Sequence, residues 1–253
     1  MILDINAFLG TWPFRKLRYS GIEGLNYMIA RADVNRALVS PFESLFYKSN
    51  DSANCCLQEI GGSSALIPVA AINPTLPNVQ SYLRDLIAQK RVRAFKLHPD
   101  YHGYGLNDDL AGPVYRAAED SAMPVIVPLR MSDERSHHWA AKVPPTPAGE
   151  VVEAAKHHSG VKFIVCNARS DEATAVLKGG TTSEKLYLAI SWAQMEGFIA
   201  SAVNRYGPDK IMWGSNMPLH YPETTLAQIK NADITTEARD MILSGNPKAV
   251  FGL

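Results

Sequence analysis

The sequence predicts a closed (β/α)8 barrel. Three observations point there: eight short apolar, β-branched runs recur at intervals of about 25 to 35 residues, amphipathic helical stretches separate them, and the 253-residue length is close to the roughly 250 typical of that fold. The runs lie at 2–6, 36–40, 66–72, 94–98, 124–127, 162–166, 186–190 and 210–214. They are continuously apolar rather than alternating, as strands buried on both faces of a parallel sheet are.

The intervening helices follow from periodicity. In 24–31 and 79–87 apolar residues recur at three- and four-residue spacing, which gives a helix one buried face. The last helix, 235–243, opens on Thr235-Thr236-Glu237 and is expected to close at Gly245-Asn246-Pro247, where glycine and proline end helices. An open doubly wound sheet is the alternative, but no Gly-x-Gly-x-x-Gly follows any strand; Gly61-Gly62 and Gly179-Gly180 read as turns. Val143-Pro144-Pro145-Thr146-Pro147 follows the fifth strand and reads as part of a long βα loop; such loops build the working face of a barrel. One domain spanning 1–253 is expected.

Composition excludes several classes. The 25 basic and 25 acidic residues cancel and neither sign is concentrated, so there is no footprint for nucleic acid or an anionic membrane. No apolar run reaches the roughly 18 residues of a membrane helix. Met1-Ile2-Leu3-Asp4-Ile5-Asn6 carries an acid and no basic n-region, so it reads as a strand and not a signal peptide. Cys55, Cys56 and Cys166 are odd in number with two adjacent, which suits reduced thiols and a cytoplasmic location. Cys166, inside an apolar run, reads as a core thiol.

Read together, several segments resemble the amidohydrolase-related family of TIM-barrel, metal-dependent hydrolases and decarboxylases. They are Leu3-Asp4-Ile5-Asn6-Ala7-Phe8-Leu9-Gly10, Phe95-Lys96-Leu97-His98-Pro99, Met123-Pro124-Val125-Ile126-Val127-Pro128, Val161-Lys162-Phe163-Ile164-Val165-Cys166-Asn167, Ile211-Met212-Trp213-Gly214-Ser215-Asn216-Met217-Pro218 and Ile242-Leu243-Ser244-Gly245-Asn246-Pro247. The resemblance implies a site at the C-terminal ends of the strands and, in ordinary members, a divalent metal. Here Asn6 and Phe8 stand where a His-x-His pair is implied, Pro128 and Asn167 where two histidines are, and Asn216 where an aspartate is. Amides, a phenyl ring and a proline do not replace the carboxylates, thiolates or imidazoles such an ion takes, so no metal and no other cofactor is expected. The chain also resembles a metal-lacking branch of the family in Trp12-Pro13-Phe14-Arg15, His98-Pro99-Asp100-Tyr101-His102-Gly103-Tyr104 and Arg130-Met131-Ser132-Asp133-Glu134-Arg135.

The remaining polar residues define the expected chemistry. His98 ends the fourth strand, where the mouth is expected, and His102 follows within one loop; imidazole exchanges a proton near neutral pH. Lys96 shares the strand face of His98, the barrel interior, where an ammonium must be paired or neutralised. Arg130 or Arg135 is expected to hold a substrate carboxylate, with Asp133 or Glu134 beside them as base. Asn6, Asn167 and Asn216 are expected to converge, holding a water or substrate oxygen or satisfying one another. Trp12, Phe14 and Tyr101 are candidates for an apolar wall. Ser132 and Ser215 lack a Gly-x-Ser-x-Gly elbow, and spacing implies no base for either.

The function this set favours is metal-independent hydrolysis of a small carboxylate-bearing ester, lactone or amide. His98, His102 or Asp133 would supply acid–base catalysis, and Asn6, Trp12, Lys96, Tyr101, Arg130, Arg135, Asn167 and Asn216 the binding surface. The alternatives are a non-catalytic barrel that binds a small molecule and a metal-free lyase or isomerase. The implied partner is a small anionic molecule, with no nucleic acid and no membrane; self-association is left open.

Overall fold

The computed structural model describes residues 1–139, 142–193 and 195–253. Nine strand segments, all pairing in parallel, run β1 Leu3–Leu9, β2 Arg36–Pro41, β3 Leu66–Pro68, β4 Ala70–Ala71, β5 Phe95–Lys96, β6 Val125–Pro128, β7 Phe163–Cys166, β8 Leu186–Ile190 and β9 Ile211–Trp213. β3 and β4 are two halves of the one expected strand. Its first half pairs with β2 and its second with β5, and Val69 N between them donates to Val39 O at 2.9 Å. The eight expected strands are therefore those of a closed (β/α)8 barrel. The ring closes where Phe8 N donates to Met217 O and Asn216 N to Asn6 O, both at 2.8 Å. An added Cβ on Gly214 would lie 2.8 Å from Asn6 Cβ, so the last strand crosses the first at a distance that glycine allows.

Apolar side chains fill both sides of the sheet. Ile5, Leu38, Ile67, Val69, Ala94, Ile126, Ile164, Cys166, Ala189 and Met212 form the interior cluster, and Val250 and Phe251 of the C-terminal helix join it. A larger shell, including Leu25, Met28, Leu83, Val114, Val151, Val176, Leu226 and Ile242, packs helices onto the outer face. Between Asp4 and Ala7 the β1–β2 register shifts by one residue. Such a bulge sets two residues against one, which brings Ile5 into the interior cluster while Asn6 meets residues of the later strands.

The helices Ile22–Arg31 and Val79–Gln89 form where the periodicity places them. The C-terminal expectation needs correction. Thr235 caps Thr236–Asp240, but the chain continues through a π turn, Met241–Gly245, into the helix Asn246–Phe251. Pro247 follows directly on the π turn, so the helical path passes through the proline there and does not stop at it. Asn246 Nδ2 donates to Pro208 O and Ile211 O at 2.8 Å each. The loop after β6 runs to the helix Ala148–His157, and its base is tied by Thr146 N donating to Leu129 O at 2.8 Å. Among the described residues no helix is long and apolar enough to cross a membrane.

Candidate functional site

β1 and the ends of β5, β7 and β9 build a fully buried polar layer from Asp4, Asn6, Lys96, Asn167, Ser215 and Asn216. Asn167 and Asn216 follow β7 and β9 with φ of 56° and 63°, a left-handed backbone that asparagine accepts more readily than most residues. The bend brings the three amides together. Asn6 Nδ2 donates to Asn167 Oδ1 at 3.1 Å and Asn216 Oδ1 at 3.5 Å, and Asn167 Nδ2 donates to Asn216 Oδ1 at 3.1 Å and Arg130 O at 2.7 Å. Ser191 Oγ donates to Asn167 Oδ1 at 2.9 Å. Asn216 Nδ2 is buried without a protein partner.

Two opposite charges sit in this layer. Lys96 Nζ donates to Asn6 Oδ1 at 2.9 Å and lies 4.0 Å from the centroid of the Phe8 ring. Asp4 accepts from Asn6 N at 3.0 Å, from Ser215 N at 2.9 Å and from Ser215 Oγ. Burial pulls Lys96 down to about 7 against the pull of Cys166 and Asp4, and pushes Asp4 up to about 6 against its hydrogen bonds and Lys96. A divalent metal implied by the resemblance does not fit these residues. The amide oxygens already accept from one another, from Ser191 or from Lys96, and an ammonium stands among them. Among the described residues no three His, Cys, Asp or Glu side chains come together as a metal site requires.

His98, expected at the mouth, is fully buried instead, and neither ring nitrogen has a partner. Its ring lies 6.2 Å from Phe8 and 6.1 Å from His102. Burial, then His102 and Lys96, drives its pKa well below the ordinary value, so it stays neutral. His102 Nε2 meets the Ser44 carbonyl at 2.9 Å. A carbonyl only accepts, so Nε2 carries the proton, and burial pulls this ring down to about 4.

Above the buried layer opens a cavity of about 970 Å³. Trp12, Phe14 and Tyr101 form one wall, Arg15, Leu219, His220 and Trp192 another, and Met131, Ser132, Asp133, Arg135, His137, His138, Arg169, Ser170 and Met195 much of the rest. The aromatic wall is a packed cluster: Trp12 meets Phe14 edge-on at 5.3 Å and Tyr101 at 6.4 Å. Ser132 Oγ lies 2.8 Å from His137 Nε2. His137 Nδ1 accepts from Val143 N at 3.4 Å, so the neutral ring carries its proton on Nε2 and donates to the serine. His220 tilts over Trp192 at 5.2 Å; burial, and then Arg15, lowers its pKa. Trp192 Nε1 is buried without a partner.

The arginines divide into committed and available groups. Arg130 lies behind the wall, with both terminal nitrogens on the Glu172 carboxylate at 2.6 and 2.5 Å, Nη1 on Asn167 O at 2.9 Å and Nε on Glu134 at 3.2 Å. Arg135 lines the cavity but is paired within its own loop to Asp133, which accepts from its N, Nε and Nη2 at 2.9, 3.0 and 2.8 Å. These bonds hold the Asp133 carboxyl well below its usual range. Arg169 pairs with Glu134 at 2.5 Å. Arg15 donates through Nη2 to Leu219 O at 2.9 Å and has no acidic partner among the described residues.

Of the residues read from sequence, Asp133, Trp12, Tyr101 and Arg135 line the cavity, whereas Asn6, Lys96, His98, Arg130, Asn167 and Asn216 lie beneath or behind it and His102 is turned to Ser44. Arg15, His137, Arg169, Trp192 and His220 line it without having been singled out as site residues. Arg15 stands in the Trp12-Pro13-Phe14-Arg15 segment, and His220 lies four residues beyond Asn216. These positions were the available signal.

A family model described as Amidohydrolase matches residues 62–253. No curated protein matches the chain. Among solved structures, the 5-carboxyvanillate decarboxylase of Sphingomonas paucimobilis is similar at a TM-score of 0.77 and 12% identity, over 100% of this chain and 99% of that one. The 2,6-dihydroxybenzoate decarboxylase from Rhizobium is similar at 0.73 and 11%, over 99% and 98%. A probable 2-pyrone-4,6-dicarboxylic acid hydrolase from Acinetobacter baumannii, with citric acid bound, is similar at 0.70 and 14%, over 100% and 99%. At these identities the likeness is one of fold.

Proposed function

Taking as premise that the chain belongs to the amidohydrolase family, we propose that it is a metal-independent hydrolase of a small carboxylate-bearing ester, lactone or amide, working in the cavity above the buried layer. The observation that carries this reading is that Arg15, which has no acidic partner among the described residues, and His220 line the same cavity; burial and Arg15 lower the His220 pKa, which favours its base form. Arg15 holds the carboxylate, and Arg169, which lines the same cavity while paired to Glu134, adds positive charge to it. Trp12 and Tyr101 cover an apolar or ring-shaped body. His220 takes a proton from water as its oxygen bonds to the acyl carbon. The Ser132 hydroxyl accepts from His137, which frees its own proton for the developing oxyanion. Cleavage of the acyl C–O or C–N bond returns the His220 proton to the leaving group.

The likeness to decarboxylases supports carbon–carbon cleavage as a second reading, in which the carboxylate held in the cavity is itself the group released. A third, a non-catalytic binding barrel, is favoured by the complete burial of the strand-end residues. One experiment separates them: purified protein is screened against carboxylate-bearing esters, lactones, amides and aromatic acids, with acid release, carbon dioxide release and ligand-induced thermal stabilisation followed in parallel. Acid release lost in His220→Gln supports hydrolysis. Carbon dioxide release without acid release overturns it for the lyase, and stabilisation without turnover overturns it for the binding barrel.

A further inference from the structure

We infer that the buried centre of this barrel is a cation site whose resident cation is the ammonium of Lys96, cradled by the Asn6 amide oxygen and the face of the Phe8 ring. The inference does not rest on the proposed hydrolysis. Asn6 and Phe8 are the two positions where a His-x-His pair is implied, and both touch Lys96, one by a 2.9 Å hydrogen bond and the other with Nζ 4.0 Å from the ring centroid. An amide oxygen and an aromatic face are poor ligands for a transition metal and good ones for an ammonium.

The surroundings are built to keep this arrangement. Phe8 is stacked on Phe42 with centroids 5.0 Å apart and planes 8° from parallel, which fixes the ring. Asn6 is held from its other side by Asn167 and Asn216, which orients Oδ1 toward the lysine. Asp4, fully buried on the same strand, supplies the balancing negative charge and is itself held by Ser215 and two backbone amides. A fully buried ammonium without such partners is very costly. With them it is held, while protonated up to about pH 7, as a tethered cation in the buried layer beneath the cavity, and truncating its stem leaves a site for a primary alkylammonium.

The test is a thermal denaturation of Lys96→Ala at about pH 6, where a primary amine is protonated, with propylammonium chloride, sodium chloride or propanol added. The expected result is a Tm several degrees below wild type that propylammonium partly restores and the other two do not. Equal restoration by propanol, or none by propylammonium, overturns the inference. Two measurements stand even if Lys96→Ala does not fold. In Phe8→Leu, NMR titration of the Lys96 side chain is expected to give a lower pKa than in wild type; an unchanged value overturns the role of the ring. Wild-type protein incubated with zinc or manganese and desalted is expected to retain no stoichiometric metal, and retention overturns the assignment of the site to Lys96.

Discussion

Arg15 and His220 illustrate how much single side chains decide here. His220 functions as a base only when neutral, so kcat/KM should rise with pH as its proton leaves. Burial and Arg15 both depress its pKa below the ordinary 6.5, which puts that acid limb below pH 6.5. His220→Gln should lower kcat by about 10²- to 10⁴-fold, the usual worth of a positioned general base. Arg15→Met should raise KM for the carboxylate substrate and move the acid limb upward, because one of the two depressing influences is gone; a pH–rate profile checks both, and a stationary limb would remove His220 from the reaction. The sequence made part of this site legible. Asn6, Asn167 and Asn216 meet because the first lies on β1 and the other two follow the ends of β7 and β9 in the same barrel, and strand order foretells that convergence. The burial of His98 was not legible, since exposure at a strand end depends on which loops fold over it. Nor was the partner of Ser132: His137 lies five residues on, in a loop whose path no periodicity fixes.

Elements meet at two places where substitution should be felt beyond the residue changed. Gly214 lies against Asn6 where the barrel closes, and an alanine Cβ there would sit 2.8 Å from Asn6 Cβ and 3.4 Å from its backbone nitrogen. Both neighbours belong to the closing strand and neither is a flexible tip, so Gly214→Ala should destabilise by roughly 1–3 kcal/mol, the usual penalty of overpacking, measured by denaturant unfolding. An unchanged midpoint would mean that the two strands part easily. Arg130 ties the end of β6 to the first turn of the helix Ser170–Gly180 through Glu172, which also accepts from Arg169 N at 2.8 Å. Glu172→Gln leaves the guanidinium, 3% exposed, with one carboxylate instead of two. It should destabilise by about 1–3 kcal/mol, as loss of a charge-assisted bond does, while Glu172→Asp keeps part of it. Spacing of apolar runs sufficed to find the strands and most helices. It did not reveal the β1 bulge or the continuation past Gly245, because the first changes no hydrophobic residue's type and the second turns on Asn246 reaching back to Pro208 and Ile211.

For the whole molecule, the buried layer makes folding stability depend on pH in a way that surface charges do not. The folded pKa of Lys96, about 7, lies below its ordinary 10.5. Between those values the unfolded chain binds more protons than the folded one, so this residue's contribution to stability rises with pH from about 7 and levels off near 10.5. Asp4 works with the opposite sign in a different window: raised from 3.8 to about 6, it keeps a proton in the folded state that the unfolded chain has lost, so its contribution falls as pH climbs from 3.8 to 6 and is flat above. Asp100, pushed up to about 8 by burial, and Cys56 and Cys166, each pushed up to about 12, also titrate across the alkaline range. A single stability curve mixes all of these. The difference between wild type and Lys96→Met removes what the two proteins share, and Asp4 is already ionised in wild type above its own window. That difference, from denaturant unfolding at several pH values between about 7 and 10, should grow in favour of wild type by a few kcal/mol, each factor of ten in proton affinity being worth about 1.4 kcal/mol. A flat difference would mean that Asn6, Phe8 and Asp4 together cancel the penalty of burying the ammonium, so that the barrel's strand-end layer carries its cation at no cost in pH sensitivity.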